Sequence, residues 1–248
     1  MTELAVVVGA TGSIGSALCR RLVVRGMDVV AVARSEGSLA ALASESGGIR
    51  TVVADIADNG SIGVISAAVD RPVKLGVIAV GLPVRGSVET LDPDMLAVGA
   101  NVKLGGTTRF LHAIRDHLER GSIFASFAGT LGIEPRAHEA GPGAINAGLI
   151  NLMKQISLLY GPKGVRVHTI VPGPADTPRL RQIVQAVADE QDRAFEEVWS
   201  EYEEQNSLRR FPTVGEVAWA VEMLLAPEAA IMHGTVLHLD AGGLRGIT

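Results

Sequence analysis

Short aliphatic and β-branched runs recur along this chain, and most of the intervals between them carry apolar residues at helical spacing. Leu4–Val8, Val29–Ala33, Thr51–Ala54, Leu75–Val80, Ser122–Phe127, Val165–Val171 and Thr235–Leu239 have the pattern of strands. The first interval shows the helical rhythm. Ile14, Ala17, Leu18 and Leu22 make one apolar stripe, Arg20, Arg21 and Arg25 face away from it, and Gly26 supplies the stop. Strand and helix alternating from end to end predict an α/β fold: a doubly wound, seven-stranded parallel sheet with right-handed crossovers, flanked by helices. No repeat, low-complexity tract or linker divides residues 1–248, so a single domain is expected.

The rhythm breaks between Pro178 and Pro212, where a long acidic helical stretch replaces a simple crossover. Phe195, Val198, Trp199 and Tyr202 fall at i, i+3, i+4 and i+7, a single apolar face on a charged helix. Residues 178–212 are therefore expected to form a helical insertion. It either packs on the core or a partner subunit, or serves as a lid over a substrate cleft, and the two are compatible.

Composition narrows the class. Of 248 residues, 47% are hydrophobic but only 4% aromatic, so the core must be aliphatic, as suits a parallel sheet covered on both faces. A net charge of -5 argues against nucleic acid or an anionic membrane as the main partner. No run has the length of a membrane span and a strand begins almost at once, so a cytoplasmic protein is expected. The single cysteine, Cys19, lies in a helical pattern and is expected to be a buried structural thiol. No metal site is expected: His112 and His117 are five apart and share no helical face, and His233 and His238 have no cysteine or paired acid nearby.

The candidate chemistry begins at the first turn. Gly9-Ala10-Thr11-Gly12-Ser13-Ile14-Gly15 follows the first strand directly and opens the first helix. A glycine turn there brings backbone N–H groups close to a pyrophosphate, whose charge the helix N-terminus favours. Gly9, Thr11, Gly12, Ser13, Ile14 and Gly15 are thus candidate dinucleotide-binding residues. The second strand ends Ala31-Val32-Ala33-Arg34-Ser35, where a domain selecting NAD usually carries an acid for the ribose 2′-hydroxyl. Ala33 has no carboxylate to repel a 2′-phosphate, and Arg34 with Ser35 can hold one. The expected cofactor is NADP, with NADPH preferred over NADH.

With these motifs in place, the chain resembles a short-chain dehydrogenase/reductase along its whole length. Val53-Ala54-Asp55-Ile56 is similar to the family's segment against the adenine, which adds Asp55 and Ile56 to the cofactor residues. Asn101, in Gly99-Ala100-Asn101-Val102-Lys103-Leu104-Gly105, matches the family's structural and catalytic asparagine. Ile170-Val171-Pro172-Gly173-Pro174-Ala175-Asp176-Thr177 is similar to the segment that contacts the nicotinamide carboxamide, nominating Pro172, Gly173 and Thr177. Gly234 through Gly243 resembles the C-terminal strand and turn. The resemblance also implies a homo-oligomer, a dimer or tetramer, through the helix Ala144–Tyr160 and the helix after Asn101. Val102, Leu104, Phe110, Leu111 and Ile114 are the apolar stripe offered for that contact.

The resemblance fails at the chemistry. The family uses a tyrosine that exchanges the substrate proton and a lysine four residues later that lowers its pKa and grips the ribose. Anchoring on Ala147-Gly148-Leu149-Ile150 puts Pro142 and Asn146 at those positions, and slipping by one gives Gly141 and Ile145. Asn146 is therefore counted with the cofactor residues. The only tyrosines are Tyr160 and Tyr202. For the family's serine, Ser126-Phe127-Ala128-Gly129 nominates Ser126, whereas counting forward from Gly121 without gaps lands on Ala128.

Three functions from different classes remain. The first is an NADP-dependent oxidoreductase acting on a carbonyl, imine or enone of a small molecule, with the acid displaced to His138 or Glu139 or not needed. The second is a non-redox enzyme that keeps NADP as structure. The third is a catalytically silent NADP-binding homologue that acts as a regulator or a partner subunit. The kept Pro172, Gly173 and Thr177 favour the first.

Overall fold

The structure, a computed structural model, describes residues 2–246. Successive side chains of a strand point to opposite faces of its sheet, and both faces here are buried. Leu4, Val6 and Val8 enter the core on one side, while Ala5 and Val7 enter it on the other. The strands are β1 (Leu4–Val8), β2 (Asp28–Ala33), β3 (Ile49–Val53), β4 (Val73–Ile78), β5 (Ile123–Phe127), β6 (Arg166–Pro172) and β7 (Thr235–Leu239). They pair in parallel in the order β3-β2-β1-β4-β5-β6-β7. The doubly wound, seven-stranded sheet expected from the sequence is what forms. β4 starts and stops two residues earlier than expected, leaving Ala79 and Val80 beyond its end.

The helices are α1 (Ser13–Val24), α2 (Glu36–Glu45), α3 (Ser61–Ala67), α4 (Pro93–Ala100), α5 (Gly106–Ile114), α6 (Ala140–Tyr160), α7 (Pro178–Gln191), α8 (Phe195–Glu204) and α9 (Val214–Met223). α1, α2 and α9 cover one face of the sheet through residues such as Leu18, Leu22, Leu39 and Val221. α3, α5 and α6 cover the other through Ile65, Phe110, Leu149 and Met153. Cys19 is wholly buried under α1, and burial pushes its thiol up to about 12, so it is a packing residue at neutral pH. Phe110, Leu111 and Ile114, expected to offer an intersubunit stripe, are buried in this chain's own core and are not available for one. The large apolar residues exposed on the helices concerned are Leu158 and Leu159 of α6.

The acidic stretch after Pro178 is not one helix. α7 ends at Asp192, which takes a left-handed conformation (φ 50°), and α8 folds back upon it. The aromatic face of α8 then packs locally, with Val198, Phe195, Trp199 and Tyr202 against Leu180, Val184, Ala188 and Phe211. Trp199 meets Phe211 edge-on at 4.8 Å between ring centroids, and the Arg181 guanidinium lies 4.7 Å from the Trp199 ring. This small separate core lets the insertion stand over the sheet edge as a unit. Among the described residues no helix is long and apolar enough to cross a membrane.

One polar group is buried inside the sheet at a cost. His168 on β6 is paired in register with Thr235 on β7, and its Nδ1 lies 2.7 Å from the Thr235 hydroxyl. Its Nε2 is buried with no partner. Burial, reinforced by the nearby Arg166 and His233, holds its pKa down to about 4 from 6.5, so the ring stays neutral. A folded pKa below the unfolded one leaves the native state binding fewer protons, so stability falls as pH drops from 6.5 toward 4. Replacing His168 with Asn is expected to flatten this acid limb, as measured by urea unfolding across the same range.

Candidate functional site

β1 and β4 are neighbours from which the chain winds to opposite sides, and the ends of such strands leave a crevice at their carboxyl edge. The turn after β1 is shaped by contact. Gly9 has φ +79°, and a Cβ on it would lie 2.6 Å from the Ala79 carbonyl oxygen, while a Cβ on Gly15 would lie 2.2 Å from that of Gly9. Both must be glycine for α1 to start directly at the end of the strand. Gly12 is different. A Cβ there would meet only Gly9 O at 3.4 Å, so the protein itself leaves room at that point, which borders the crevice. No side chain caps α1. Its first-turn amides remain free for an anion.

The crevice is a cavity of about 950 Å³. Gly9, Thr11 and Gly12 line it from the turn, Arg34 and Ser35 from the end of β2, and Asp55 and Ile56 from the end of β3. Arg34 is exposed, and no carboxylate among the described residues pairs with it. Ser35 caps α2, its Oγ accepting from the Ser38 amide. The Asp55 carboxylate accepts from the Ala57 amide, which fixes the loop beneath the crevice.

A second cavity, of about 490 Å³, opens beside the first and shares Ala79, Val80, Gly81, Leu82 and Arg179 with it. Ile14, Asn146, Pro172, Gly173 and Thr177 line this one. Pro142 and Asn146 form its α6 wall. Gly141 and Ile145 point instead into the small cluster with Leu82 and Val84, so the alternative register is not the one that meets the cavity. Asn146 is buried and its Oδ1 has no hydrogen-bond partner. The insertion supplies the far wall through Leu180, Ile183 and Tyr202, and Arg179 reaches across to donate to the Leu82 carbonyl at 3.0 Å. Thr177 caps α7 by accepting from the Leu180 amide.

Four expected residues stand elsewhere. Gly15 is buried under the turn, and Ser13 is exposed at the start of α1 without bordering either cavity. Asn101 is exposed. It donates to the Ala57 carbonyl at 3.0 Å and accepts from Arg109 at 2.7 Å, so it pins the loop under the first cavity. Ser126 is buried with its hydroxyl 3.3 Å from that of Thr107, between β5 and α5, whereas Ala128 lines the second cavity. Asn101 and Ser126, expected to be catalytic by the resemblance, thus each turn the side chain to a partner within the protein. His138 is exposed and borders neither cavity, while Glu139 is half-buried and lines the second.

Lys103 was not singled out from the sequence, yet it is the most perturbed cation at the site. Asn101–Gly105 forms a π-helical turn between α4 and α5, and Lys103 on its inner side is 5% exposed. Its Nζ donates to the Val80 carbonyl at 2.7 Å. Burial, aided by the Arg179 charge, pushes its pKa down to about 7 from 10.5. The signal was present in the spacing: Gly99, Lys103, Gly106 and Phe110 lie on one helical face, and Lys103 is the one charge on it. Arg179 carried no comparable signal.

A glycine turn into a helix, an uncapped helix N-terminus and a crevice at the switch point mark a fold of the Rossmann class. Residues 9–243 match the family described as enoyl-(acyl carrier protein) reductase, and the chain belongs to that family of short-chain dehydrogenases/reductases. Short-chain reductase protein NovJ of Streptomyces niveus is 28% identical over 252 residues, covering 97% of this chain and 93% of that protein. The crystal structure of YwfH, an NADPH-dependent reductase involved in bacilysin biosynthesis, superposes with a TM-score of 0.90 at 18% identity over 100% of both chains. L-sorbose reductase from Gluconobacter frateurii, complexed with NADPH and L-sorbose, gives 0.90 at 17% identity over 99% of this chain and 98% of that one. At such identities the two structures speak for the fold alone.

Keeping Lys103 inside costs stability. Its folded pKa lies below the unfolded value of 10.5, so the penalty is full below pH 7 and is relieved as pH rises from 7 to 10.5. Lys103→Met keeps an unbranched apolar side chain without the charge. It is expected to stabilise the protein by on the order of 3 kcal/mol near neutrality and below, with the gain shrinking at alkaline pH. Urea unfolding of both proteins over that pH range measures it.

Proposed function

We propose that this chain is an NADP-dependent reductase of the short-chain family with an atypical active site, acting on a carbonyl, imine or enone in a small molecule. The observation that carries the reading is the shared wall of the two cavities: a dinucleotide held at the glycine turn has its far end beside Val80, Gly81 and Arg179, where the second cavity begins. The residues present fit such a cofactor. The uncapped start of α1 suits its pyrophosphate, and Gly12 leaves the backbone open to it. Arg34 and Ser35 suit a 2′-phosphate, and Pro172, Gly173 and Thr177 border the place for a nicotinamide. Such a cofactor supplies or accepts a hydride when bound. YwfH is an NADPH-dependent reductase, L-sorbose reductase binds NADPH, and NovJ is a short-chain reductase, which supports the same reading.

Pro142 and Asn146 stand in the proposed reading where the family carries its tyrosine and lysine. The substrate side is strongly cationic: Arg85, Lys103, Arg136 and Arg179 line it against the single acid Glu139. A substrate with an anionic group is the best match to that lining. A second reading, a silent NADP-binding subunit that partners another chain, is favoured by the same Pro142 and Asn146 and by Leu158 and Leu159. Those two leucines are 68% and 64% exposed on α6. A stable complex with another chain and no turnover of any ketone, enone or imine with NADPH would select it.

Nicotinamide fluorescence titrations test the cofactor half. Wild type should bind NADPH more tightly than NADH, and Arg34→Ala should lose on the order of tenfold for NADPH alone. Gly12→Ala should fold normally, because the nearest atom to its new Cβ is 3.4 Å away, yet lose nucleotide affinity. Gly15→Ala should instead destabilise the fold, with its Cβ 2.2 Å from Gly9 O. Equal affinity for the two nucleotides, unmoved by Arg34→Ala, would remove the case for NADP.

A further inference from the structure

On α6 the substrate-side cavity meets nothing that can give up a proton, since Pro142 and Asn146 form that wall and neither ionises. One buried cation, Lys103, also lines it. Lys103 stands in the π turn Asn101–Gly105, an arrangement that adds a residue to a helix and recurs at functional sites. The turn is braced. The Gly106 amide donates to the Asn101 carbonyl five residues back, and the Thr107 hydroxyl donates to the Lys103 carbonyl at 2.8 Å. Arg109 donates to both the carbonyl and the side chain of Asn101. Lys103 is thereby held inward, its Nζ on the carbonyl of Val80, a residue common to both cavities. An ammonium has three N–H donors. The Val80 carbonyl takes one, and no other acceptor among the described residues takes a second.

We propose that Lys103 is the proton donor of this cavity, giving its proton to the oxygen or nitrogen of a bound carbonyl or imine as the carbon is reduced. The inference rests on the reductase reading above. In the carbonyl case the carbon gains a hydride, two electrons and a proton, from a reduced nicotinamide dinucleotide. The C=O double bond becomes single, and the oxygen takes one proton from Nζ. An alcohol and a neutral amine remain, the amine still held by Val80 until water returns its proton. Burial and the neighbouring Arg179 bring this amine to the pH range where such an exchange works best. Other charged groups lining the cavity are Arg85, Arg136 and Glu139; Tyr202 is its one tyrosine. A lysine that burdens the fold and yet borders a cavity is the pattern of a group kept for chemistry.

The chain has four lysines, Lys74, Lys103, Lys154 and Lys163. Protein labelled with ¹³C at lysine Cε therefore allows each to be titrated by NMR without any substrate. One resonance, absent from Lys103→Met, should titrate roughly three pH units below the ordinary value of 10.5. Lys103 titrating with the other lysines would overturn the proposal even if NADPH binds. Failure of the reductase reading shows separately, as no binding of NADPH to a protein whose Lys103 still titrates low, and it takes the donor role with it. Once a panel of ketones, enones and imines yields a compound that NADPH reduces, Lys103→Met and Lys103→Arg should each lose on the order of 100-fold or more in kcat, with NADPH affinity kept. Arginine keeps the charge but not the exchangeable proton, so full turnover in Lys103→Arg would overturn the donor role. So would a loss of that size in Tyr202→Phe or Glu139→Gln without one in Lys103→Arg.

Discussion

A Cβ on Gly15 would sit 2.2 Å from the carbonyl oxygen of Gly9, and one on Gly9 would sit 2.6 Å from that of Ala79. Three segments, the end of β1, the start of α1 and the residues after β4, are thus pressed together at one point with backbone touching backbone. Next to this contact α1 starts after Gly12, which has no side chain to cap it, so the first-turn amides stay free beside the crevice. Just beyond the end of β4 the Ala79 amide still donates to the Val8 carbonyl, and the carbonyl of the next residue, Val80, accepts from Lys103. Both cavities depend on the same contact, one on each side of it.

The two cavities solve the problem of burying polar groups differently. The first is built from backbone amides and from loops that satisfy themselves, as in the Asp55 turn and the Ser35 cap. The second holds groups that the protein leaves short: Asn146 Oδ1 has no partner, and Lys103 has one. Buried polar atoms are nearly always paired in folded proteins, and an unpaired one marks either strain or use. The cations around this cavity add to the cost, since Lys103 and Arg179 repel one another inside it. An occupant that donates to Asn146 Oδ1 and brings negative charge to the cations would relieve both deficits.

The sheet was legible because strand and helix patterns obey different periods, and a sheet buried on both faces leaves long aliphatic runs that no helix here imitates. The cofactor turn was legible because close backbone contact admits glycine alone, as Gly9 and Gly15 show. What could not be read was direction. Asn101 and Ser126 fit a pattern of residue types, but the pattern carries no information on which way each side chain turns: exposed Asn101 turns to Ala57 and Arg109, and buried Ser126 to Thr107. The stripe of Phe110, Leu111 and Ile114 likewise marks a buried face without saying whether the chain's own sheet or a second subunit buries it. The division of the acidic stretch at Asp192 was not legible because a non-glycine left-handed residue leaves no mark in hydrophobic periodicity. Lys103 lies on the inner helical face, but a lysine's long stem leaves open in the sequence whether its ammonium ends in water or inside.

The central claim is that one ligand spans both cavities, with its reactive end beside Lys103. A crystal structure of the protein grown with NADPH tests this most directly. The account predicts the 2′-phosphate at Arg34, the pyrophosphate at the start of α1 and an ordered nicotinamide between Thr177 and Lys103. Density for the adenosine half alone, with the nicotinamide excluded from the second cavity, would contradict it.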